Sequence, residues 1–318
     1  MTAARRATDW FLVPQPAEPL ALLRIGFGLL VLVWCLAVAG DTTAFFGPEG
    51  LLPGYAGTAS PLAVLSWWTG PAAAPVVLAV LALAGAALVV GWHTRLAAVL
   101  VFVGVLSLQR RDPFVLNGGD LLLRIMALAV VAMPTGRVAS LDARRAARRG
   151  RPPSPVASVW ALRLLQVQVA VLYADSVWEK LAGATWRDGT AVGRAVSAEH
   201  IQRLVVPEWF LSNTLLVALA TWGALAVEAA IPALVWNRRW RPWVLGAGVA
   251  LHLGIEVTLD LGFFPATILV SYLAFVPPDT ARHVLARIGL LDDDRPAPVP
   301  DEARPTEALS QGGGRMAG

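Results

Sequence analysis

Eight apolar segments run through the sequence, and they restrict the chain to folds that a lipid bilayer can surround. A transmembrane helix needs about 20 apolar residues, and the third, fourth, seventh and eighth segments are shorter than that. Polar flanks, helix tilt or a thinned bilayer can make up the difference. We therefore expect an all-α fold, a polytopic membrane helix bundle of about eight transmembrane helices. The segments cover residues 20–39, 72–90, 95–108, 121–134, 156–177, 211–236, 243–257 and 263–276.

The composition favours a membrane protein over a soluble one. Hydrophobic residues make up 56% of the chain and charged residues 15%, whereas soluble domains average about 45–50% and about 25%. Residues 291–318 are polar and rich in proline and glycine. We therefore expect a helical domain of residues 1–290 followed by a disordered polar tail. The single cysteine, Cys35, excludes an internal disulfide.

Arginines concentrate at the N-terminus, after the fourth and sixth segments, and after the eighth. Eight spans place all of these connections on one side, which the positive-inside rule identifies as the cytoplasm. We therefore expect both termini to be cytoplasmic, in a multi-pass protein of the cell inner (plasma) membrane. The arginines that give the net charge of +4 lie beside apolar segments. We therefore expect membrane lipid as a partner and no nucleic acid. Arg24 interrupts the first segment, which favours a retained helix over a signal peptide.

Lys180 is the only lysine in the chain, and it lies just past the fifth apolar segment. An arginine stays protonated at any useful pH, whereas a desolvated lysine can lose its proton. Lys180 is therefore a candidate general base. The alternative is that arginine replaced lysine elsewhere through codon bias and that Lys180 is an interfacial anchor.

Polar side chains interrupt several of the apolar segments, where a charge costs about 2.5–3.5 kcal/mol unless it meets a partner or water. Asp120 and Arg124 are four residues apart, so we expect them to share a helical face, where they can pair. His252 and Glu256 have the same spacing. Glu228 lies well inside the sixth segment. For Glu228, His252 and Lys180 a shared polar cavity is favoured over separate sites, while for Asp120 and Arg124 interhelical hydrogen bonding is equally compatible.

The fifth segment carries two polar stripes when it is drawn as a helix. Gln166, Tyr173 and Lys180 recur every seven residues and stay on one face. A second stripe of Gln168, Asp175 and Glu179 lies well away from the first. A helix with both stripes is expected to be central in the bundle. Interhelical hydrogen bonding without a chemical role is favoured for Gln166, Gln168 and Arg24. A further polar group of the fifth segment is Arg163.

Several common catalytic signatures are missing from the sequence. It contains no Walker loop, no dinucleotide-binding glycine fingerprint, no His-Glu-x-x-His and no Gly-x-Ser-x-Gly. No two histidines are four residues apart, which disfavours a helical zinc or haem pair. We expect no metal.

The order of short motifs resembles the horizontally transferred transmembrane domain (HTTM) family, whose best-known member is vitamin K-dependent gamma-carboxylase. The resemblance covers about residues 10–280. The matching strings are Leu23-Arg-Ile-Gly-Phe27, Gly91-Trp-His-Thr-Arg95, Arg111-Asp-Pro-Phe-Val-Leu-Asn-Gly-Gly-Asp120, Ser140-Leu-Asp142, Arg163-Leu-Leu-Gln-Val-Gln168, Tyr173 to Lys180-Leu181, Trp186-Arg-Asp-Gly189, Glu228-Ala-Ala-Ile-Pro232, His252-Leu-Gly-Ile-Glu256 and Gly262-Phe-Phe264.

The resemblance implies a chemistry for two of these positions. In the carboxylase, a lysine in the segment that matches Tyr173 to Lys180 is thought to deprotonate the reduced vitamin, and His252 matches a histidine of a later helix. It therefore implies a reduced quinone of the vitamin K type as cofactor. Two departures limit the transfer. Gly118 stands where the carboxylase has a histidine, and the sequence after the last apolar segment is too short for its large lumenal region.

Our leading hypothesis is a quinol-dependent carboxylase or oxidoreductase in the membrane, or a modifier of an exported peptide, as another relative of the family implies. Lys180 and His252 are the predicted catalytic residues. A transport, export or immunity component without enzymatic activity is the alternative, and a structural scaffold is the third. The predicted substrate-binding residues are Asp120, Arg124, Arg163, Tyr173, Glu228 and Glu256.

Overall fold

A computed structural model describes residues 3–53, 60–112 and 117–291, and within them the chain is almost entirely helical. This confirms the predicted all-α class. Most of the predicted disordered tail lies outside the described residues. In chain order the helices are α1 (Ala3–Leu12), α2 (Glu18–Val38), α3 (Thr42–Phe46), α4 (Ala73–Val90), α5 (Thr94–Arg111), α6 (Gly118–Ala132), α7 (Leu141–Arg148), α8 (Trp160–Ala182), α9 (Ala184–Arg187), α10 (Ala191–Val196), α11 (Glu208–Leu211), α12 (Thr214–Leu234), α13 (Arg241–Thr258), α14 (Phe264–Ser271) and α15 (Pro278–Arg287).

Short elements complete the described part. Two 3-10 helices cover Val64–Ser66 and Tyr272–Phe275, the second of which continues α14. Strands β1 (Gln15–Pro16) and β2 (Val156–Ala157) pair antiparallel and tie the start of α2 to the start of α8.

Each of the eight apolar segments contains a helix: α2, α4, α5, α6, α8, α12, α13 and α14. Three of them, α2, α4 and α12, are long and apolar enough by themselves to cross a membrane. The chain is therefore a helical membrane protein. Eight crossings and cytoplasmic termini stay predictions.

The helices pack in two groups that share one hydrophobic core. In the first group α2 contacts α4, α4 contacts α5, and α5 contacts α6. In the second group α8 contacts α12, α12 contacts α13, and α13 contacts α14. Contacts of α6 with α8 and α14 join the groups. The functional side chains described below lie in the second group.

Small residues allow α2 and α4 to approach closely. A side chain at Gly28 would bring its Cβ to 2.9 Å from the carbonyl oxygen of Gly85. A Cβ at Gly85 would in turn lie 3.1 Å from Val31. Glycine is used in this way at crossings of membrane helices, where packing rather than the hydrophobic effect holds helices together.

At one end of the bundle, Arg24 links α2 to the connection between α6 and α7. Its guanidinium is fully buried, and it donates hydrogen bonds to the carbonyl oxygens of Thr135, at 3.0 Å, and Ala139. These carbonyls belong to the connection between α6 and α7, so Arg24 joins that connection to α2. The burial of this charge is compensated by backbone hydrogen bonds, in agreement with the structural interpretation of Arg24.

Two further family motifs meet beside Arg24. The carboxylate of Asp142 accepts hydrogen bonds from the backbone nitrogens of His93 and Thr94, both at 2.8 Å, and so caps the start of α5. Gly91 ends α4 with a φ of 71°, and a Cβ there would collide with Ser140. Three of the matching strings therefore have a structural role at this end.

Only one of the two polar stripes of α8 faces the bundle. Gln166 and Tyr173 are buried, whereas Asp175 and Glu179 are exposed. The expectation of a central α8 rested on both stripes, and only the stripe of Gln166 and Tyr173 supports it. Asp175 and Glu179 lie in the last two turns of α8, where a charged head can reach the membrane surface and does not need a buried partner.

Candidate functional site

The candidate functional site begins with Lys180, whose ammonium is held by two acceptors. Nζ donates a hydrogen bond to Oγ of Ser176, at 2.8 Å, and forms an ion pair with Oε2 of Glu228. Ser176 Oγ donates to the same carboxylate oxygen at 3.2 Å. The side chain of Glu228 is 8% exposed and that of Lys180 is 21% exposed. The carboxylate is thus buried, while the Lys180 side chain is only partly buried.

An indole ring covers the other side of the Lys180 ammonium. Nζ lies 5.1 Å from the ring centroid of Trp186, which is within the range of a cation–π contact. The indole nitrogen of Trp222 on α12 donates to the carbonyl oxygen of Trp186 at 3.2 Å and so holds this segment against the helix pair.

The turn that follows Trp186 keeps the ring in place. Asp188 Oδ1 accepts hydrogen bonds from the hydroxyl of Thr190, at 2.6 Å, and from its backbone nitrogen, at 3.0 Å. The hydroxyl bond is the main cause that lowers the pKa of Asp188 below its ordinary value. Gly189 has a φ of 78°, a conformation that favours glycine. The Trp-Arg-Asp-Gly motif is thus a tight turn that positions Trp186.

A second polar cluster lies deeper in the bundle and joins three helical segments. The hydroxyl of Tyr173 is hydrogen-bonded to Nε2 of His252 at 2.7 Å and to the hydroxyl of Tyr272 at 2.5 Å. All three side chains are 5% exposed or less. The other ring nitrogen of His252, Nδ1, is buried and has no hydrogen-bond partner among the described residues.

The two clusters share one face of α8. Tyr173, Ser176 and Lys180 are three and four residues apart, so their side chains follow one another along the helix. The Lys180 charge is near enough to interact electrostatically with His252, and Glu228 likewise with the hydroxyl of Tyr173. The two clusters, one at the end of α8 and one deeper in the core, make up what we call the α8 track: Tyr173, Ser176, Lys180, Glu228 and His252, with Tyr272 at its inner end.

The start of α6 supports the inner end of this track. Asn117 and Asp120 form a capping box, in which each side chain accepts a hydrogen bond from the other residue's backbone nitrogen. A Cβ at Gly119 would lie 2.5 Å from the Cα of Phe264, so only glycine allows this approach. The ring of Phe264 packs edge-on against His252, with centroids 5.7 Å apart.

Three of the predicted substrate-binding residues belong to the α8 track or lie at its border, and the others do not. Tyr173 and Glu228 are part of it, and Asp120 lies behind Phe264. The carboxylate of Asp120 is used in the capping box, and among the described residues it forms no ion pair with Arg124. The cap satisfies Asp120 within its own helix end, so the pair has no reason to form.

Arg163 and Glu256 lie elsewhere. Arg163 is in the first turn of α8, about 25 Å along the helix from Lys180 at 1.5 Å per residue. It donates to Gln166 at 3.1 Å and lies over the ring of Trp10, 4.7 Å from its centroid. Glu256 points to the surface and pairs with Arg203, while His252 on the same helix is buried. The shared helical face of His252 and Glu256 therefore does not bring them into one site.

Trp186 appeared in the sequence only as part of a matching string, and two contributors to the site were not singled out at all: Ser176 and Tyr272. Ser176 stands four residues before Lys180, a spacing that places it on the same face. Tyr272 is one of only three tyrosines in the chain, and it lies in an apolar segment. Each was thus visible as a polar group in an unusual position. Within the residues that the structure describes, no group of three or more His, Cys, Asp or Glu is arranged to hold a metal.

Comparison with known proteins identifies a family for the chain. The family model described as HTTM domain matches residues 13–280. A relative described as "Uncharacterized protein YitO", from Bacillus subtilis (strain 168), is 30% identical over an alignment of 202 residues, and the alignment covers 58% of this chain. The match spans 62% of that relative's length. No solved structure matches the chain at a significant level.

Proposed function

Because the chain belongs to the HTTM domain family, we propose that it is a membrane enzyme that takes a proton from a reduced quinone, with Lys180 as the base. The observation that carries this proposal is the contact of Nζ with Glu228 Oε2 beneath the Trp186 ring. This contact gives the single lysine of the chain a way to become neutral.

The ion pair can exchange a proton within itself. A buried charged pair gains little from its charges, because the cost of removing both from water offsets their attraction. Transfer of one proton from Lys180 Nζ to Glu228 Oε2 leaves a neutral amine and a neutral carboxylic acid. The electron pair of the amine nitrogen then accepts the O–H of Glu228, while the amine still donates to Ser176 Oγ. We propose that a quinol hydroxyl takes the place of the Glu228 O–H at this electron pair. A neutral lysine in this setting is able to accept a hydroxyl proton.

The chemistry of the residues around the α8 track suits a flat, hydroxyl-bearing ring. A reduced quinone supplies two hydroxyl groups and two transferable electrons when it is bound. Nδ1 of His252 is buried without a partner and can accept a hydrogen bond if it is the unprotonated nitrogen. The rings of Phe264 and Tyr272 lie beside His252 and offer apolar surface. Such a mixture of apolar walls and few polar groups is typical of small-molecule sites.

Two measurements test this proposal. Lipid extracts of the purified protein, analysed by mass spectrometry, are expected to contain quinone in near-stoichiometric amount. Purified protein in nanodiscs is expected to increase oxygen uptake by added menaquinol above the uncatalysed rate. Lys180→Arg should abolish that increase, because arginine keeps its proton. Glu179→Gln, a change on the exposed side of the same turn, should leave it intact.

The results of these two measurements distinguish the proposed enzyme from the non-enzymatic alternatives. Full activity in Lys180→Arg contradicts the assignment of the base, provided that the variant inserts and elutes as the native protein does. No bound quinone and no stimulated oxygen uptake would favour a transport, export or immunity component. In the enzyme hypothesis, an exported peptide is the substrate class next to be tested, with mass change of the peptide as the measurement.

A further inference from the structure

A cavity of about 680 Å³ lies at the arginine-rich end of the bundle, far from the α8 track. Its walls come from the start of α2, from α7 with the connections on either side of it, and from α15 with the residues after it. The charged side chains that line it are Glu18, Arg137, Arg144 and Arg282. Three cations and one carboxylate make it a predominantly basic cavity, so it favours an anion.

The arginines are available to an anion to different degrees. Arg282 donates to Glu18 Oε1 at 3.1 Å, and its side chain is 17% exposed. Arg137 donates through Nη1 to the carbonyl oxygen of Val156 at 3.1 Å. Arg144 is exposed at the mouth of the cavity. An arginine has five N–H donors, so Arg137 and Arg144 keep donors for a phosphate.

Glu18 adds a requirement that a simple anion does not meet. The residue is 2% exposed, and its Oε2 atom is buried with no hydrogen-bond partner among the described residues. An unsatisfied buried acceptor costs free energy, so the site is complete only when a donor reaches this oxygen. A ligand for the cavity therefore needs an anionic group together with a hydroxyl or amine donor.

The place of the cavity in the fold indicates where such a ligand comes from. Glu18 is the first residue of α2, one of the three helices that are long and apolar enough to cross a membrane. The cavity thus lies where a spanning helix begins, at the level of the lipid headgroups. Basic pockets at this level bind anionic headgroups in other membrane proteins.

We propose that this cavity binds the headgroup of an anionic phospholipid that carries hydroxyl donors beyond its phosphate, as phosphatidylglycerol does. Arg137 and Arg144 donate to the phosphate oxygens, and a headgroup hydroxyl donates to Oε2 of Glu18. The site is separate from the proposed quinone chemistry, and lipid occupancy does not depend on Lys180.

Lipid titration of the purified full chain in detergent tests the proposal, with native mass spectrometry and thermal unfolding as readouts. The comparison is between phosphatidylglycerol, phosphatidylmethanol, phosphatidylcholine and inorganic phosphate. Phosphatidylmethanol has the same charge as phosphatidylglycerol but no headgroup hydroxyl. We expect phosphatidylglycerol to bind most tightly, about tenfold better than phosphatidylmethanol, and to raise the unfolding temperature most. Equal binding of these two lipids overturns the role of Glu18, and equal effects of inorganic phosphate overturn the lipid assignment.

A matched pair of double variants locates the site. Arg137→Gln with Arg144→Gln should weaken phosphatidylglycerol binding by about thirtyfold, since each arginine near the surface contributes about a factor of five. Glutamine keeps a donor for the Val156 carbonyl, which protects the fold. Arg148→Gln with Arg149→Gln removes the same charge from exposed positions outside the cavity and should have little effect. Equal losses in both double variants would show only general attraction to a charged surface and contradict the site.

Discussion

At the scale of single residues, the Tyr173–Tyr272 contact depends on the absence of a side chain at position 248. Gly248 lies on α13 one turn before His252, and a Cβ there would collide with the hydroxyl of Tyr272. The two tyrosines and the histidine can therefore share their hydrogen bonds only while this position is glycine.

We predict that Gly248→Ala displaces Tyr272 and breaks its hydrogen bond with Tyr173. Overpacking of this kind costs about 1–3 kcal/mol, which should appear as a lower unfolding temperature and reduced quinol-dependent oxygen uptake. The control is Gly246→Ala on the same helix, where a Cβ meets nothing within 4 Å and a gain in helix propensity is expected. The role of position 248 is contradicted if both variants behave alike.

A pH effect is expected at the surface group formed by Arg203, Glu256 and Asp260. The hydrogen bond from Arg203 is the main cause that lowers the pKa of Asp260 below its ordinary value of 3.8. A lowered pKa in the folded state means that the stabilisation is present above the unfolded value and is lost as the pH falls through the folded value. The backbone bridge between Gln202 and Leu259 lies beside this group, so it should open in acid.

Hydrogen exchange around residues 198–206 measures this effect. We expect faster exchange as the pH falls below about 3.8, after correction for the intrinsic rate. Asp260→Asn should show the faster exchange already at neutral pH. Glu199→Gln, in the same connection, should exchange as the unchanged protein does. An unaltered profile in Asp260→Asn would mean that other contacts hold this segment.

The sequence identified part of the candidate site because burial of a charge is conspicuous in an apolar segment. Lys180, Glu228 and His252 were expected to share a cavity. The structure pairs Lys180 with Glu228, while His252 is hydrogen-bonded to Tyr173 on the same helix as Lys180, so the shared cavity stays a prediction. Spacing along one helix was less informative: Asp120 and Arg124 share a face yet do not pair. A four-residue spacing predicts that two side chains leave the helix on the same face. Whether they bind each other depends on helix ends and neighbouring helices, whose positions the sequence alone does not give.

At the scale of helices, α12 has a missing backbone hydrogen bond at Glu228, the residue that binds Lys180. Glu228 lies four residues before Pro232, which has no N–H to donate to the Glu228 carbonyl. The helix therefore lacks one backbone hydrogen bond at the residue that binds Lys180. The same motif thus supplies a carboxylate and a locally loosened backbone beside it.

The close crossing of α2 and α4 leads to a stability prediction. Gly28→Ala would place a methyl group 2.9 Å from the Gly85 carbonyl oxygen, so the helices must separate. We expect a loss of about 1–3 kcal/mol, measured as a lower unfolding temperature in detergent. Gly223→Ala on α12 is the control, since a Cβ there meets nothing within 4 Å. A stable Gly28→Ala protein would show that the crossing adjusts at little cost.

Helix positions were the most predictable part of the fold. All eight apolar segments contain helices, because a long apolar run in lipid must satisfy its backbone hydrogen bonds internally. The short helices α9, α10 and α11 were not expected, although α9 carries Trp186, whose ring lies over the Lys180 ammonium. Their sequences have no strong apolar period, and Trp186 is positioned by a turn around Asp188 and Gly189, which depends on contacts with α12.

At the scale of the whole molecule, the number of membrane crossings decides on which side the Lys180 end of α8 lies. Within residues 3–53, 60–112 and 117–291, only α2, α4 and α12 qualify as spans by length and apolarity alone. If only these cross, residues near 199 lie on the same side as the N-terminus. If all eight apolar helices cross, residues near 199 lie on the opposite side, and residues near 239 return to the side of the N-terminus.

Cysteine accessibility in oriented cells distinguishes these two topologies. Cys35 is buried and is the only cysteine, so Cys35→Ala provides a clean background. Single cysteines replace Arg6, Arg148, Glu199 or Arg239, all of which are exposed, and react with a membrane-impermeant maleimide. Eight crossings predict that only Glu199→Cys differs in labelling from the other three. Three crossings predict instead that only Arg239→Cys differs. The second pattern would place Lys180 on the same side of the membrane as the N-terminus and the arginines of α7, with the C-terminal residues on the opposite side, and it would contradict the positive-inside argument for α8.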